Sequence, residues 1–339
     1  MLGFYIIGGI SLEYYSCSNI QNGIRFEYNS IKLCCLVGPN ASEPLYIKRD
    51  FYGEKLNWKE LLQTIVKIRE DQKNGIIDPH CTGCIGMQKQ DWDDNTKFKW
   101  MQIAHWADCN CNCTYCYRVQ NDFEAPKRRY KIMPIIKELD KMGLIDYSGE
   151  LAYSGGEPAS LREFDDITNF FIKKGERLIM VHTNAIKPVK SVIRGLRTDT
   201  MSVTVSVDCG DRAKFKQIKQ VDAYDRVQDT LKKYVKAQGA NKKMVRSKYI
   251  IIPGVNDSRH DVDLWIQETL KTGIQQVIID FESSWLTDNN SNIPPHIDDL
   301  FMYIEETTKS NGLDLDFYAV ANQYRTLKNK DISVGLHNG

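Results

Sequence analysis

Cys109, Cys113 and Cys116 stand at the spacing C-x3-C-x2-C, with Tyr115 directly before the last thiol. No other feature constrains this chain as strongly. Three thiolates cannot fill the four iron corners of a cubic iron–sulfur cluster, so one iron is left to hold a small molecule. Structural sites with four protein ligands are closed by comparison. The chain must therefore bring three thiols to one face and leave a coordination position open. Cys111 lies inside the same loop, but no register that uses it gives this spacing, and it is read as a non-ligand.

The remaining thiols sharpen the reading. Of ten cysteines, Cys17, Cys34, Cys35, Cys81, Cys84, Cys109, Cys111, Cys113 and Cys116 crowd the first third of the chain, and only Cys209 follows. Such density in a chain of 339 residues points to metal rather than to a disulfide framework. Lysine plus arginine (45) nearly balances aspartate plus glutamate (44), so no bulk charge argues for nucleic acid or an anionic membrane as partner. Residues 2–10 are apolar but short, lack a preceding basic residue and run into Glu13, which does not read as a signal peptide. No apolar run approaches the ~20 residues of a membrane span. A cytoplasmic protein is expected.

Two regions separate. Residues 1–98 carry short strand-like pieces and one helix. Ile24 to Leu33 reads as a hairpin turning at Asn29 and Ser30. Asn57 opens a helix with Glu60 three residues later, Trp58, Leu61, Leu62, Ile65 and Ile68 share its apolar face, and Gly75 stops it. Residues 88–97 read as a linker. From residue 99 short apolar runs alternate with helical patterns. Strands are predicted at Met101–Ala104, Glu150–Tyr153, Leu178–His182, Met201–Val207, Ser247–Ile252 and Gln276–Phe281. Helices are predicted from Pro134 to Gly143, over Tyr224–Ala237 and over Val262–Thr272. This alternation implies a parallel sheet with right-handed crossovers, and it places the cysteine loop at the C-terminal edge of the strands, where α/β barrels keep their chemistry.

Tyr153, Ser154, Gly155, Gly156, Glu157 and Pro158 follow the second of these strands. With the C-x3-C-x2-C loop, they make the chain resemble a radical S-adenosylmethionine (radical SAM) enzyme over residues 99–320. The resemblance implies an α/β fold, a partial (β/α)6 TIM-like barrel, preceded by a small cysteine-rich α+β domain at 1–98 and followed by a tail at 321–339. It implies a 4Fe-4S cluster on Cys109, Cys113 and Cys116, with S-adenosylmethionine chelated to the open iron through its amino and carboxylate groups. Tyr115 holds the aromatic position of the motif, and Ser154, Gly155, Gly156 and Glu157 would hold the amino group. Glycine lets backbone approach a ligand closely, and a carboxylate accepts from an ammonium. Ser206 and Asp208 at the end of the fourth strand are candidate ribose contacts, against the alternative that Asp208 only caps the next element. His182 and Asn184 end the third strand on the same rim, with Asn184 a further candidate contact. Residues 251–257 resemble the fifth-strand segment of enzymes that activate glycyl-radical partners.

The N-terminal thiols form a second constellation. Cys81 and Cys84 are a metal-type C-x2-C pair. Cys17, Gly23 and Cys34 around the hairpin resemble the start of a SPASM module, which carries an auxiliary cluster, although that module normally follows the barrel. Cys17, Cys34 (in preference to Cys35), Cys81 and Cys84 are the expected ligands of a second 4Fe-4S cluster, with zinc or free thiols as alternatives.

The activity implied is reductive cleavage of S-adenosylmethionine to a 5′-deoxyadenosyl radical that takes hydrogen from a substrate carbon, with a flavodoxin or ferredoxin as electron donor. Oxidation or other modification of a peptide or small molecule is the first expectation. Epimerisation with Cys209 as hydrogen donor, activation of a glycyl-radical enzyme, and a non-catalytic iron–sulfur or zinc scaffold are the alternatives. No zinc-protease, P-loop or serine-hydrolase motif occurs.

Overall fold

In the computed structural model, residues 14–28, 30–33, 46–49, 58–82, 84, 86–90, 95, 97–120, 130–175, 177–282, 295–318 and 321 are described. The chain divides into two compact units, residues 1–106 with 126–151 and residues 107–125 with 152–339.

The first unit holds β1 (Tyr14–Ser16), α1 (Ser18–Asn22), β2 (Gly23–Phe26), β3 (Ser30–Lys32), β4 (Tyr46–Arg49), α2 (Trp58–Lys73), β5 (Gln88–Gln90) and β6 (Phe98–Ile103). The predicted hairpin is present, with β2 and β3 antiparallel and Phe26 opposite Ile31. β2 also pairs in parallel with β6. α2 runs where the capping-box pattern placed it, and Gly75, at φ 78°, follows its end. The expected linker differs, because β5 pairs antiparallel with β1, Ser16 opposite Gln88. Its three side chains, Gln88, Lys89 and Gln90, are all polar and give that strand no apolar signal. Ile24, Phe26, Ile31, Ile65, Phe98 and Met101 are buried in this unit.

After α3 (Tyr117–Gln120) come α4 (Ile132–Lys141) and β7 (Ile145–Tyr153). α4 buries Ile132, Ile135, Ile136 and Leu139 and begins two residues ahead of Pro134, a first-turn position where proline's missing N–H costs nothing.

The second unit is a run of strand–helix repeats. In order they are α5 (Phe164–Lys174), β8 (Leu178–Thr183), α6 (Lys190–Arg197), β9 (Met201–Ser206), α7 (Arg212–Lys219), α8 (Tyr224–Ala237), β10 (Val245–Ile251), α9 (Arg259–Thr272), β11 (Gln276–Phe281), α10 (Pro295–Ser310) and β12 (Asp314–Phe317). The strands lie in the order β8-β9-β10-β11-β12, all parallel. This is the α/β, partial TIM-like architecture expected from the sequence.

Period-two patterning sets the two faces of the sheet. Along β8, Ile179, Val181 and Thr183 are buried, whereas Leu178, Met180 and His182 are half-buried. Register carries the second face across the sheet. His182 stands opposite Thr204, Thr204 opposite Arg246, and Ser206 opposite Lys248. Helix ends are set by local chemistry. Asp211 and Ser258 cap α7 and α9 by accepting from the N–H groups of Lys214 and Asp261, and Gly175 and Gly273 close α5 and α9 in the left-handed region. Among the described residues, no helix is long and apolar enough to cross a membrane.

Candidate active site

The cysteine loop is held in place from below by backbone. Asn112 N–H donates to the Lys219 carbonyl at 3.1 Å, and Thr114 N–H to the Ile218 carbonyl at 3.0 Å, so the exposed C-terminal carbonyls of α7 anchor the loop. Cys116 N–H closes a turn onto the Cys113 carbonyl at 3.0 Å, and Cys116 in turn starts α3. Cys109 is exposed, and Cys111, Cys113 and Cys116 are half-buried. Cys111 sits between two of its neighbours. Its hydrogen bonds are the first cause that lowers the thiols of Cys109, to about 6, and Cys113, to about 7. The same bonds raise Cys111 itself. Two of the three motif thiols are thereby biased toward the thiolate, the form that binds metal.

The Gly-Gly-Glu loop packs directly on the entry to the cysteine loop. A Cβ on Gly156 would lie 2.2 Å from the Asp108 carbonyl oxygen and 2.7 Å from the Ala107 carbonyl carbon, and Glu157 N–H donates to Asp108 O at 2.9 Å. Sequence reasoning gave Gly156 a place against a ligand; the structure adds that chain-to-chain contact alone already excludes a side chain. Gly155 has φ 115°, a backbone that favours glycine. Glu157 is buried, and its carboxylate accepts from Thr183 Oγ1 (2.6 Å), Asn184 N (2.8 Å) and Ala159 N (3.2 Å). Burial pushes its carboxyl up, against the pull of those three donors. Asn184 extends the connection, donating through Nδ2 to Asn110 Oδ1 at 2.6 Å, with Cys109 Sγ 3.8 Å away.

On the opposite side, Asp208 adopts φ 63° and is fully buried. Its Oδ1 accepts from Ile250 N at 2.8 Å, and its Oδ2 accepts from Tyr115 OH at 2.8 Å and from Lys219 Nζ. Lys219 Nζ also donates to Tyr115 OH at 2.7 Å. Asn256, from the 251–257 segment, donates to the Asp208 and Ile250 carbonyls, both at 2.8 Å, and fixes that strand end. Cys209 is buried, with Sγ 3.5 Å from the Val207 carbonyl and 3.6 Å from that of Asp211.

These elements enclose a cavity of about 610 Å³. Cys109, Cys111, Cys113, Cys116, Tyr115, Gly155, Gly156, Glu157, Asn184 and Ser206 line it, together with Arg118, His182, Thr183 and Lys219. Ser154, Asp208 and Cys209 are not among the lining residues. Three soft donors on one open cavity fit a cluster with a free iron. Among the described residues, no group of three His, Cys, Asp or Glu side chains converges on the point a single ion would occupy. A cube differs from such an ion in taking each thiolate at a separate corner. Sequence reasoning missed Lys219, Thr183 and Arg118. A lysine that a helix buries, or a threonine behind a glutamate, leaves no motif.

Residues 103–266 match the sequence profile of the Radical SAM superfamily. The chain carries a radical SAM domain. That superfamily uses a 4Fe-4S cluster and S-adenosylmethionine. GTP 3′,8-cyclase of Haemophilus influenzae is 26% identical over 174 residues, covering 51% of this chain and 51% of the relative. GTP 3′,8-cyclase of Clostridium botulinum is 24% identical over 171 residues, covering 49% and 51%. The chain thus spans about half the length of the curated relatives it matches. Streptococcus suis SuiB, solved with S-adenosylmethionine bound, aligns with TM-score 0.51 at 14% identity over 78% of this chain and 57% of SuiB. SuiB bound to its precursor peptide SuiA aligns with TM-score 0.52 at 13% identity over 82% and 58%. This likeness shows a shared fold.

Outside the radical SAM domain, Cys17 and Cys81 are buried in one cluster with Ile20, flanked by Ile68 and Met87. Cys84 Sγ accepts from Gly86 N–H at 3.4 Å. Cys34 and Cys35 lie outside the described residues.

Proposed function

We propose that this chain is a radical SAM enzyme that reductively cleaves S-adenosylmethionine and abstracts hydrogen from a carbon of a polar small molecule or peptide. The observation that supports this best is one cavity lined by the three motif thiols, Gly155, Gly156, Glu157 and Asn184. When bound, the cluster and S-adenosylmethionine would supply a one-electron cleavage of the sulfonium S–C5′ bond and a 5′-deoxyadenosyl radical. Cys109, Cys113 and Cys116 would hold the cluster. The backbone of Gly155 and Gly156 would meet the ligand's amino group, while Glu157 acts through Asn184 and Thr183 by locking the rim. Arg118, whose Nε lacks a hydrogen-bond partner among the described residues, would meet the carboxylate. Ser206 lines the cavity as a hydroxyl for the ribose, and Asp208 supports that wall through Tyr115. A flavodoxin or ferredoxin would supply the electron.

The strand face beside the cavity favours a polar substrate. Beyond His182 and Ser206 it carries Thr204, whose Oγ1 is buried without a partner among the described residues, and Arg246, whose Nη2 donates to Ser202 at 2.5 Å. Lys248 pairs with Asp280 at 2.8 Å beside the exposed ring of Tyr318. The GTP 3′,8-cyclase relatives carry a nucleotide in their name, which supports a polar substrate for this chain.

The test is anaerobic reconstitution with iron and sulfide, then S-adenosylmethionine and dithionite. 5′-Deoxyadenosine should accumulate. An intact cluster that yields none refutes the proposal.

A further inference from the structure

Lys219 is buried far beyond what its charge favours. Its side chain is 1% exposed, and that of Asp208, its partner, is 0% exposed. Taking two charges out of water costs several kcal/mol per ion, and an apolar pair of similar volume often does as well for stability. The pair is also built with care. Asp208 is fixed through φ 63°, Ile250 N and Asn256, and Lys219 Nζ lies 4.9 Å from the centre of the Tyr115 ring while bonding its hydroxyl. Lys219 touches the cysteine loop twice, through its ammonium at Tyr115 and through its carbonyl at Asn112. Both contacts flank Cys113.

We infer that Lys219 is a positioning and countercharge residue of the cysteine loop: its ammonium, clamped between Asp208 and Tyr115, fixes the aromatic of the motif and sets how readily a cluster on that loop accepts an electron. The inference rests on the radical SAM reading. Adding one electron makes a cluster more negative, and net charge near a cluster is among the factors that set its potential. A buried cation beside one thiolate favours the reduced form; the carboxylate behind it opposes. The order of the two groups decides the sign, because Lys219 is the one lining the cavity. Burial works against the lysine's own charge, yet the adjoining Asp208 carboxylate holds it well above its ordinary value.

The experiment is an EPR-monitored redox titration of the reconstituted full-length chain, with iron counted in every sample. K219M should make reduction harder by about tenfold, a fall of about 59 mV for one electron, and K219R should restore most of it. D208N removes the opposing charge while keeping a hydrogen-bonding side chain, and should move the potential the other way. Loss of structure alone would not produce shifts of opposite sign. Unchanged potentials, or shifts in one direction for both, overturn the inference while leaving the radical SAM reading intact. If K219M does not take up iron, the upward shift in D208N and the near-native value of K219R carry the test, and a D208N potential at or below wild type overturns it. A wild-type chain that forms no cluster removes both readings together.

Discussion

Gly156→Ala isolates the contact between the two ligand-binding loops. The added Cβ would sit 2.2 Å from Asp108 O, 2.7 Å from Ala107 C and 2.8 Å from Ala107 O, all backbone atoms that have no rotamer to escape into. Carbon and oxygen approach to about 3.3 Å at closest, so the two segments must part by roughly 1 Å. A shift of that size stretches the 2.9 Å bond from Glu157 N to Asp108 O beyond hydrogen-bonding range. Overpacking costs about 1–3 kcal/mol and the lost bond about 1 kcal/mol more, which gives roughly 2–4 kcal/mol. The assay is denaturant unfolding of the metal-free chain alongside iron content after reconstitution. G156A should lower the unfolding midpoint and load less iron, because residues 107–108 lead straight into Cys109. Gly254→Ala is the control. Gly254 has the reverse problem, a left-handed backbone at φ 73° with open space around its Cβ position, so only about 1–2 kcal/mol of backbone strain is expected and iron loading should stay native. If G156A unfolds and loads iron like wild type, the close-approach argument is wrong.

Serine at Cys109, Cys113 or Cys116 should each abolish the cluster absorption, whereas C111S should keep it; loss of colour only in C111S would reverse the ligand assignment. Iron counting addresses the N-terminal thiols, about eight irons per chain if they hold a second cube and about four if they do not. E157Q replaces an oxygen that receives Thr183 Oγ1 or Asn184 N–H with a second donor, and should cost about 1–3 kcal/mol and weaken S-adenosylmethionine binding measured by equilibrium dialysis. His182 is pushed down to about 4, first by burial and then by Lys248 and Arg246. Its folded form binds fewer protons than the unfolded chain, whose histidine titrates near 6.5, so its contribution is complete above about pH 6.5 and is lost as pH falls toward 4. Unfolding midpoints measured across that window should fall more steeply for wild type than for H182Q.

The cluster loop, the Gly-Gly-Glu turn and five of the parallel strands were readable because each rests on local pattern. Gln276–Phe281, an apolar-rich run, was placed to the residue, as was helix Tyr224–Ala237. β5 was not, since its pairing with β1 arises from residues some seventy positions away and not from its own polar side chains. The site shows the same divide. Spacing announced the three thiols. Nothing announced Lys219, because whether a lysine points into solvent or under a loop depends on which helix face the fold buries. In sequence Asp208 reads as a ribose contact or a cap; in the structure its buried carboxylate answers Lys219, a pairing visible only once the fold brings together two residues eleven apart in sequence.

Asn184 has one more consequence, in time rather than in space. Its backbone N–H is committed to Glu157 and its side-chain amide to Asn110, so the end of β8, the turn after β7 and the first residues of the cysteine loop are stitched to a single residue. Loops tied this way cannot fray one after another; they open as a unit or stay shut. Amide hydrogens at Asn112, Thr114, Glu157 and Asn184 should therefore exchange with deuterium at a shared pace, and N184A should break that synchrony before it changes the melting of the surrounding sheet.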